Sequence, residues 1–349
     1  MADDTVSNPV ATESNLTVIN VNITCVIIIV TWNCWEHLYR CLNALERQTR
    51  RDFLITVVDN GDATNQQRER LQEYGRLTYL RSSSNLGFAA GNNRGFDNVG
   101  DAEWIMLLNP DTVPAPDWME KMLAATVQYP DFAFFGCRLL QAHNPALLDG
   151  DGDCYHVSGL PWRSGMGLPT ALASATPRET FAPCAAAALY RSSALREVGG
   201  FDEDFFCYME DVDLGFRLRL AGHRCLTVPD AKVLHVGSAT TGKRSPFYIY
   251  HGQRNLVWTY VKNMPGMLFW LFLPLHVALN IVGVLRYALS GQLGVIWRAK
   301  RDAIKGLPKI WQKRRAIQKA RVASLSSILK ILDKRPVPGL DRAMNSLWK

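Results

Sequence analysis

The sequence predicts an α/β fold built around a parallel sheet, and three observations carry that prediction. Short apolar runs recur through the first third of the chain, helical patterns separate them, and polar signatures stand where the runs end. Thr24 to Val30 reads TCVIIIV, an apolar run without alternation, which fits a strand covered on both faces. Thr31-Trp32-Asn33 interrupts it. Trp35 to Gln48 then places Leu38, Cys41, Leu42 and Leu45 on one stripe of an amphipathic helix. Phe53 to Val58 predicts a second strand ending at Asp59-Asn60-Gly61. A helix follows at about Thr64 to Tyr74, and a third strand at Leu77 to Leu80. After the glycine-rich run NLGFAAGNNRG (Asn85 to Gly95), Trp104 to Leu108 makes a fourth strand that ends at Asn109-Pro110-Asp111. Such alternation predicts βαβ units.

The middle of the chain, roughly Gln141 to Pro183, is rich in Gly, Pro and small polar residues and is expected to form long substrate-binding loops. Regular structure is predicted to resume with a strand at Ala185 to Tyr190 and a short helix at Ser193 to Val198, ended by Gly199-Gly200. Asp211 to Ala221 predicts a helix with Leu214, Leu218 and Ala221 inward and Arg217 and Arg219 pointing elsewhere. Two short strands follow, Cys225 to Val228 and Lys232 to Leu234, the second closed by His235.

At 349 residues, 48% hydrophobic and 20% charged, the chain accommodates one large catalytic domain and an appendage. Residues 1–21 are polar and are expected to form a flexible leader, 22–260 the catalytic domain, and 261–349 a helical, basic, membrane-associating region. No basic-then-apolar signal peptide opens the chain, so the catalytic part is expected in the cytoplasm, on the inner face of the plasma membrane. The eight cysteines include no CxxC pair and read as small apolar residues in a reducing compartment. The net charge of +7 is a C-terminal property: from Arg286 to Arg321 a run of Lys and Arg faces one acid, Asp302.

Met267 to Leu289, MLFWLFLPLHVALNIVGVLRYAL, is long enough to span a bilayer but is interrupted by Pro274, His276, Asn280 and Arg286. Three readings are open: an interfacial helix pair with the basic stretch beyond, one true span, or a soluble interaction face. Trp297 and Trp311 within the basic stretch suit an anionic membrane surface. Nucleic acid is not an expected partner, because no nucleic-acid module is present. Homo-oligomerisation is left open.

Ligands of parallel sheets bind beyond the carboxyl ends of the strands. Thr31-Trp32-Asn33, Asp59-Asn60 and Asn109-Pro110-Asp111 all fall there. Asp111 offers a carboxylate to a divalent cation, Mg²⁺ or Mn²⁺; an Asn-Pro-Asp turn is the structural alternative. Glu210-Asp211, with Asp213 nearby, is either a set of first-turn helix acids or a carboxylate cluster whose mutual repulsion suits a general base. Asp213 is also placed to tie its helix to a basic residue. His235 reads as a structural histidine or as a ligand at a strand end. The run from Asn85 to Gly95 is neither a Walker loop nor a GxGxxG fingerprint, which argues against an ATPase and a nicotinamide dehydrogenase.

Taken in order, VIIIVTWN, VVDNG, NLGFAAGNNRG, LLNPD, GGFDEDFFCYMEDVDLGFRLRLAG and HVGS resemble the family 2 glycosyltransferases of the GT-A fold, in the bacterial rhamnosyltransferase-like branch. The resemblance covers Thr24 to about His235. It implies a nucleotide-diphospho-sugar transferase with a Rossmann-like mixed sheet and an inverting reaction. By the family pattern, Asp211 is the catalytic base with Glu210 beside it, and Asp111 and His235 hold the metal. Asp59, with Asn60 next to it, contacts the pyrimidine base, and Thr31 and Asn33 lie beside the nucleotide. Asn85, Gly87, Asn93 and Gly95 shape a donor-side loop, and Asn109 replaces the first Asp of the usual DxD motif. The implied donor is dTDP-L-rhamnose, with UDP-sugars (galactofuranose or N-acetylhexosamine) as the alternative. The implied acceptor is a lipid-linked or cell-surface glycan precursor. A non-catalytic nucleotide- or glycan-binding protein is the rival of a different class.

Overall fold

The computed structural model describes residues 24–237 and 245–336. The expected leader, and Ser238 of the HVGS motif, lie outside the described residues. The chain opens with β1 (Cys25–Thr31), α1 (Trp35–Leu45), β2 (Phe53–Asp59), α2 (Asn65–Leu71), β3 (Leu77–Arg81), α3 (Gly87–Phe96) and β4 (Trp104–Leu108). These strands lie in the order β3-β2-β1-β4, all parallel. β1 therefore has one neighbour reached early and another reached late, and a crevice opens at its carboxyl end. Thr31 pairs with Asp59 across that end.

The glycine-rich segment is not a loop. From Gly87 it is the helix α3, and its glycines have a packing role. A Cβ on Gly91 would sit 2.8 Å from Val30 Cγ1, and one on Gly95 would sit 2.5 Å from Ile28 Cγ2. The spacing of four puts both on one helix face, which lets the α3 backbone press against β1. Turn-forming composition hid this helix, because Gly and Asn count against helix on propensity alone.

The second half adds β5 (Thr112–Pro114), α4 (Trp118–Gln128), β6 (Phe134–Gln141), β7 (Asn144–Gly150), β8 (Asp153–Tyr155), β9 (Pro161–Arg163), β10 (Arg178–Thr180), β11 (Ala187–Arg191), α5 (Ser192–Glu197), α6 (Glu210–Leu220) and β12 (Cys225–His235). β11 runs antiparallel between β4 and β6, so the sheet is mixed. Three expectations are corrected here. The stretch from Gln141 to Pro183 is not long loops, since it holds four short strands. The two strands expected between Cys225 and Leu234 are one, with an irregularity between Val228 and Lys232. Arg217 and Arg219, expected to point away from the inward stripe, are themselves buried, 7% and 6% exposed and paired with Asp213 and Glu179.

α6 is buried on every side because the chain then folds back over it. α7 (Pro246–Asn263), α8 (Gly266–Leu289), α9 (Leu293–Ala320) and α10 (Leu325–Ile331) complete the described fold. Phe205 and Phe216 share a core with Trp258, Tyr260, Phe269 and Ile310. Trp258 Nε1 donates to Ala303 O at 2.9 Å, and the Arg314 guanidinium donates to Val261 O and Met264 O. A division at residue 260 runs through α7, and the C-terminal helices share their apolar core with the part that precedes them.

Candidate active site

A cavity of about 680 Å³ opens at the carboxyl ends of β1 and β4. Its first wall comes from the parallel half. Asn60 lines it and donates from Nδ2 to Gly87 O at 2.8 Å. Asn85 Oδ1 accepts from Gly87 N–H at 2.9 Å, which turns the chain into α3 at a backbone φ of +79° that glycine tolerates. Asn109 follows β4, and its backbone bonds to Ala186 and Thr112 hold the Asn109-Pro110-Asp111 turn against β11.

Asp111 and His235 meet although far apart in sequence, because β5 pairs with the end of β12 and sets His235 opposite Thr112. His235 Nε2 lies 3.5 Å from Asp111 Oδ1. Its Nδ1 lies 2.7 Å from Asp149 Oδ2, and Arg163 pairs with that same carboxylate. Burial opposes the charged imidazole, but hydrogen bonds to Asp111 and Asp149 outweigh it and raise the His235 pKa. Burial likewise opposes ionisation of Asp111, yet the bond to His235 and its charge hold that carboxyl below the ordinary value. With Nδ1–H given to Asp149, Nε2 is turned toward Asp111, the arrangement by which a carboxylate orients a metal-binding histidine. Among the described residues no group of three His, Cys, Asp or Glu side chains could hold a metal by itself. A cation held by this pair would need further oxygen ligands from elsewhere.

The facing wall is Phe206 to Asp211. Asp211 accepts from Ala185 N at 3.3 Å and from Val212 N at 2.8 Å. Glu210 is 6% exposed, and its Oε2 has no partner among the described residues. Burial, and then the neighbouring Asp211 charge, push the Glu210 carboxyl well above its ordinary range.

This wall is strained. Phe206, Tyr208 and Met209 have φ of 63°, 67° and 72°, a region that costs a non-glycine residue about 1–3 kcal/mol. Asn255, fully buried in α7, donates from Nδ2 to the carbonyls of Phe205 (2.9 Å), Cys207 (3.1 Å) and Tyr208 (2.7 Å). Arg254 donates to Asp204 O and Phe205 O. Phe206 O accepts from Phe88 N and Ala89 N at the start of α3. Lys262, 1% exposed on its side chain, bridges Asp202 and Asp213.

Residues 26–199 match the family described as Glycosyl transferase family 2. The chain belongs to this family. It is 29% identical over 245 residues to the N-acetylglucosaminyl-diphospho-decaprenol L-rhamnosyltransferase of Mycobacterium tuberculosis, covering 62% of this chain and 77% of the relative. It is 29% identical over 225 residues to Rhamnosyltransferase WbbL of Escherichia coli, covering 60% and 82%. The fold resembles the crystal structure of GalNAc-T7 with UDP, GalNAc and Mn²⁺, at a TM-score of 0.57 and 17% identity, over 68% of this chain. The chain spans about half of that structure, 48% of it. The architecture is that of the GT-A fold.

For this family 2 glycosyltransferase, the cavity gathers Asn60, Asn85, Gly87, Asn109, Asp111, Glu210, Asp211 and His235. Other expected donor residues lie off its surface. Thr31 and Asp59 are fully buried, and the Asp59 carboxylate accepts from Tyr79 OH at 2.7 Å and Gly61 N at 2.8 Å. Asn33 is exposed and packs on Gly61. Asn93 and Gly95, expected in a donor-side loop, are in α3: Asn93 ties that helix to Phe201 and Glu203, and Gly95 packs on Ile28. Asp149, Arg163, Arg254, Asn255 and Lys262 were absent from the sequence expectations. Asp149 had a signal, since Asp149-Gly150-Asp151-Gly152-Asp153 is an acid-rich run. Asn255 had none, as a lone Asn inside a helical pattern.

Proposed function

We propose that the chain is an inverting transferase that moves L-rhamnose from dTDP-L-rhamnose onto a lipid-linked or cell-surface glycan precursor. The observation that carries this reading is the single cavity with Asp111 and His235 on one wall and Glu210 and Asp211 on the other. A donor diphosphate is assigned to the space between the start of α3 and the Asn109–Asp111 turn, where Asn85, Gly87 and Asn109 line the cavity. Asp111 and His235 would hold a divalent cation, Mg²⁺ or Mn²⁺, which when bound neutralises the charge of the departing diphosphate. Asp211 takes the proton of the acceptor hydroxyl. The hydroxyl oxygen bonds to the anomeric carbon as the bond to the diphosphate oxygen breaks on the opposite side, which inverts the centre. The rhamnosyltransferase names of two relatives support the donor, and the lipid-linked substrate in one name supports the acceptor class. An apolar helix and that same name support membrane association, and the location we assign is the cytoplasmic face of the plasma membrane, peripheral or monotopic.

A donor screen by nucleotide release tests the reading, with dTDP-L-rhamnose against UDP- and GDP-sugars. The expected result is release from dTDP-L-rhamnose that depends on Mg²⁺ or Mn²⁺ and is lost in Asp111→Ala. Release from UDP-sugars alone would move the protein to a UDP-sugar transferase. Nucleotide binding without release from any donor would make it a binding protein.

A further inference from the structure

We propose that α8 and the first half of α9 form a docking face that lies flat on an anionic lipid leaflet, beside the acceptor end of the cavity. Its purpose rests on the lipid-linked acceptor reading above; its geometry does not.

Gly266–Leu289 is long and apolar enough to cross a bilayer by length and composition. One of its faces, however, is fastened to the body from end to end. Near its start, Phe269 packs on Tyr260 and Trp311, with ring centroids 5.5 Å and 5.8 Å away. At its middle, His276 stacks on Tyr260 at 4.0 Å and its Nδ1–H donates to Ser158 O at 2.8 Å. That tautomer leaves Nε2 to accept from Asn280 Nδ2 at 3.1 Å, while Asn280 Oδ1 accepts from Lys300 of α9 at 2.5 Å. Toward its end, a Cβ on Gly283 would lie 3.2 Å from Gln253 Oε1 of α7. Two of the residues that interrupt the apolar run, His276 and Asn280, thus hold it down. Turning α8 along a bilayer normal would break these contacts or carry the charged α9 with it.

The opposite face is apolar and bare. Trp270, Leu271, Ile281, Val282, Leu285 and Leu289 are 55–90% exposed and recur at helical spacing. The stripe continues on α9 at Leu293, Trp297 and Ile304, beside the exposed Arg298, Arg301 and Lys305. Asp302, the acid among them, is taken up by Arg301 and Tyr250. An apolar stripe edged with cations matches a leaflet of anionic lipid. It disfavours a second copy, because a two-fold contact would set like charges against each other.

This face also sits at the cavity mouth. Arg298 lies over the Tyr250 ring at 4.9 Å, and Lys300 donates to Gln253 O at 2.9 Å. Tyr250 is three residues along α7 from Phe247, about 4.5 Å of helix rise. Phe247 lines the cavity with Asp211 and, with Tyr248, presents an exposed aromatic edge there. An amphiphile with its tail in the leaflet reaches the base from this side.

Flotation of the full chain with vesicles tests the proposal, using phosphatidylglycerol–phosphatidylcholine against phosphatidylcholine alone. The expected result is binding to the anionic vesicles that falls at least tenfold in Trp270→Glu/Leu285→Glu. It should weaken in high salt and be released by alkaline carbonate, with the thermal shift by dTDP unchanged. Carbonate-resistant binding would overturn the flat geometry in favour of a span. Equal, salt-insensitive binding to neutral vesicles would overturn the anionic partner. A dimer that Trp270→Glu dissociates, with no vesicle binding, would give the face to a second copy. Intact vesicle binding with no turnover of any nucleotide-sugar would sink the transferase reading and leave the docking face standing.

Discussion

The two walls of the cavity are built on different principles. The wall proposed to take the donor, here the donor wall, is local: β1, β2 and β4 each end in their own polar turn, and α3 begins where Asn85 bends the chain. The wall proposed to take the acceptor, here the acceptor wall, is held from outside. Phe206 to Met209 adopts conformations it would not keep alone; Asn255 of α7 holds the Cys207 and Tyr208 carbonyls from behind, and Arg254 and Lys262 fix the residues on either side. Damage to the first wall should therefore show in donor binding. Damage to the second should show in turnover.

The sharpest test of that division is Asp211→Asn. A positioned general base contributes about 10²- to 10⁴-fold, so kcat should fall by that order while donor binding stays within error. Calorimetry with dTDP and Mn²⁺ beside a turnover assay reads both. Full activity would remove Asp211 from the base role, and a matching loss of donor binding would erase the distinction between the walls.

Next in size is Asp149→Asn on the donor side. Its carboxylate orients His235 through a 2.7 Å bond, and losing such a partner costs about 10- to 100-fold in metal affinity. Donor binding should weaken at limiting Mn²⁺ and recover at high Mn²⁺, with kcat at saturation little changed. Weakening that added Mn²⁺ does not relieve would make Asp149 a general structural support.

Asn255→Ala should cost less and strike the other wall. Three carbonyls lose their shared donor where the backbone is already strained. A full 1 Å misplacement costs about 10²-fold, and a partial relaxation should lower kcat by roughly tenfold. Dissociation of dTDP, read by thermal shift, should not change. An equal loss of dTDP binding would show that α7 supports both walls.

These variants also mark what the sequence could reveal. β1, β2 and β4 were legible because each is a largely apolar run, and Asp111 and Asp211 as cavity residues because they stand at element ends. Asp149 opposite His235 was not, because the pairing of β6 with both β7 and β12 brings them together and no local period encodes it. The role of Asn255 was hidden for the same reason: its partners lie some fifty residues earlier in the chain. α3 was misread for a different reason. Its glycines satisfy close packing on β1, and composition alone cannot tell that use from a turn.

The smallest expected effect belongs to Glu210→Gln, and it asks whether the acceptor wall carries one negative charge or two. The Glu210 carboxyl is raised in the folded state by burial and by Asp211. The folded chain thus keeps a proton that the unfolded chain releases above about pH 4.3. The stability tied to that proton is fully present below the unfolded value and is lost as pH rises through the folded one. Glutamine mimics the protonated acid and cannot ionise. Glu210→Gln should therefore match the parent Tm at low pH and exceed it increasingly as pH rises. Its kcat should stay within about threefold, the scale of one exchanged neutral hydrogen bond. A Tm difference independent of pH would mean that Glu210 is already ionised in the fold. A large loss of kcat would mean that its proton, or its charge, takes part in transfer beside Asp211.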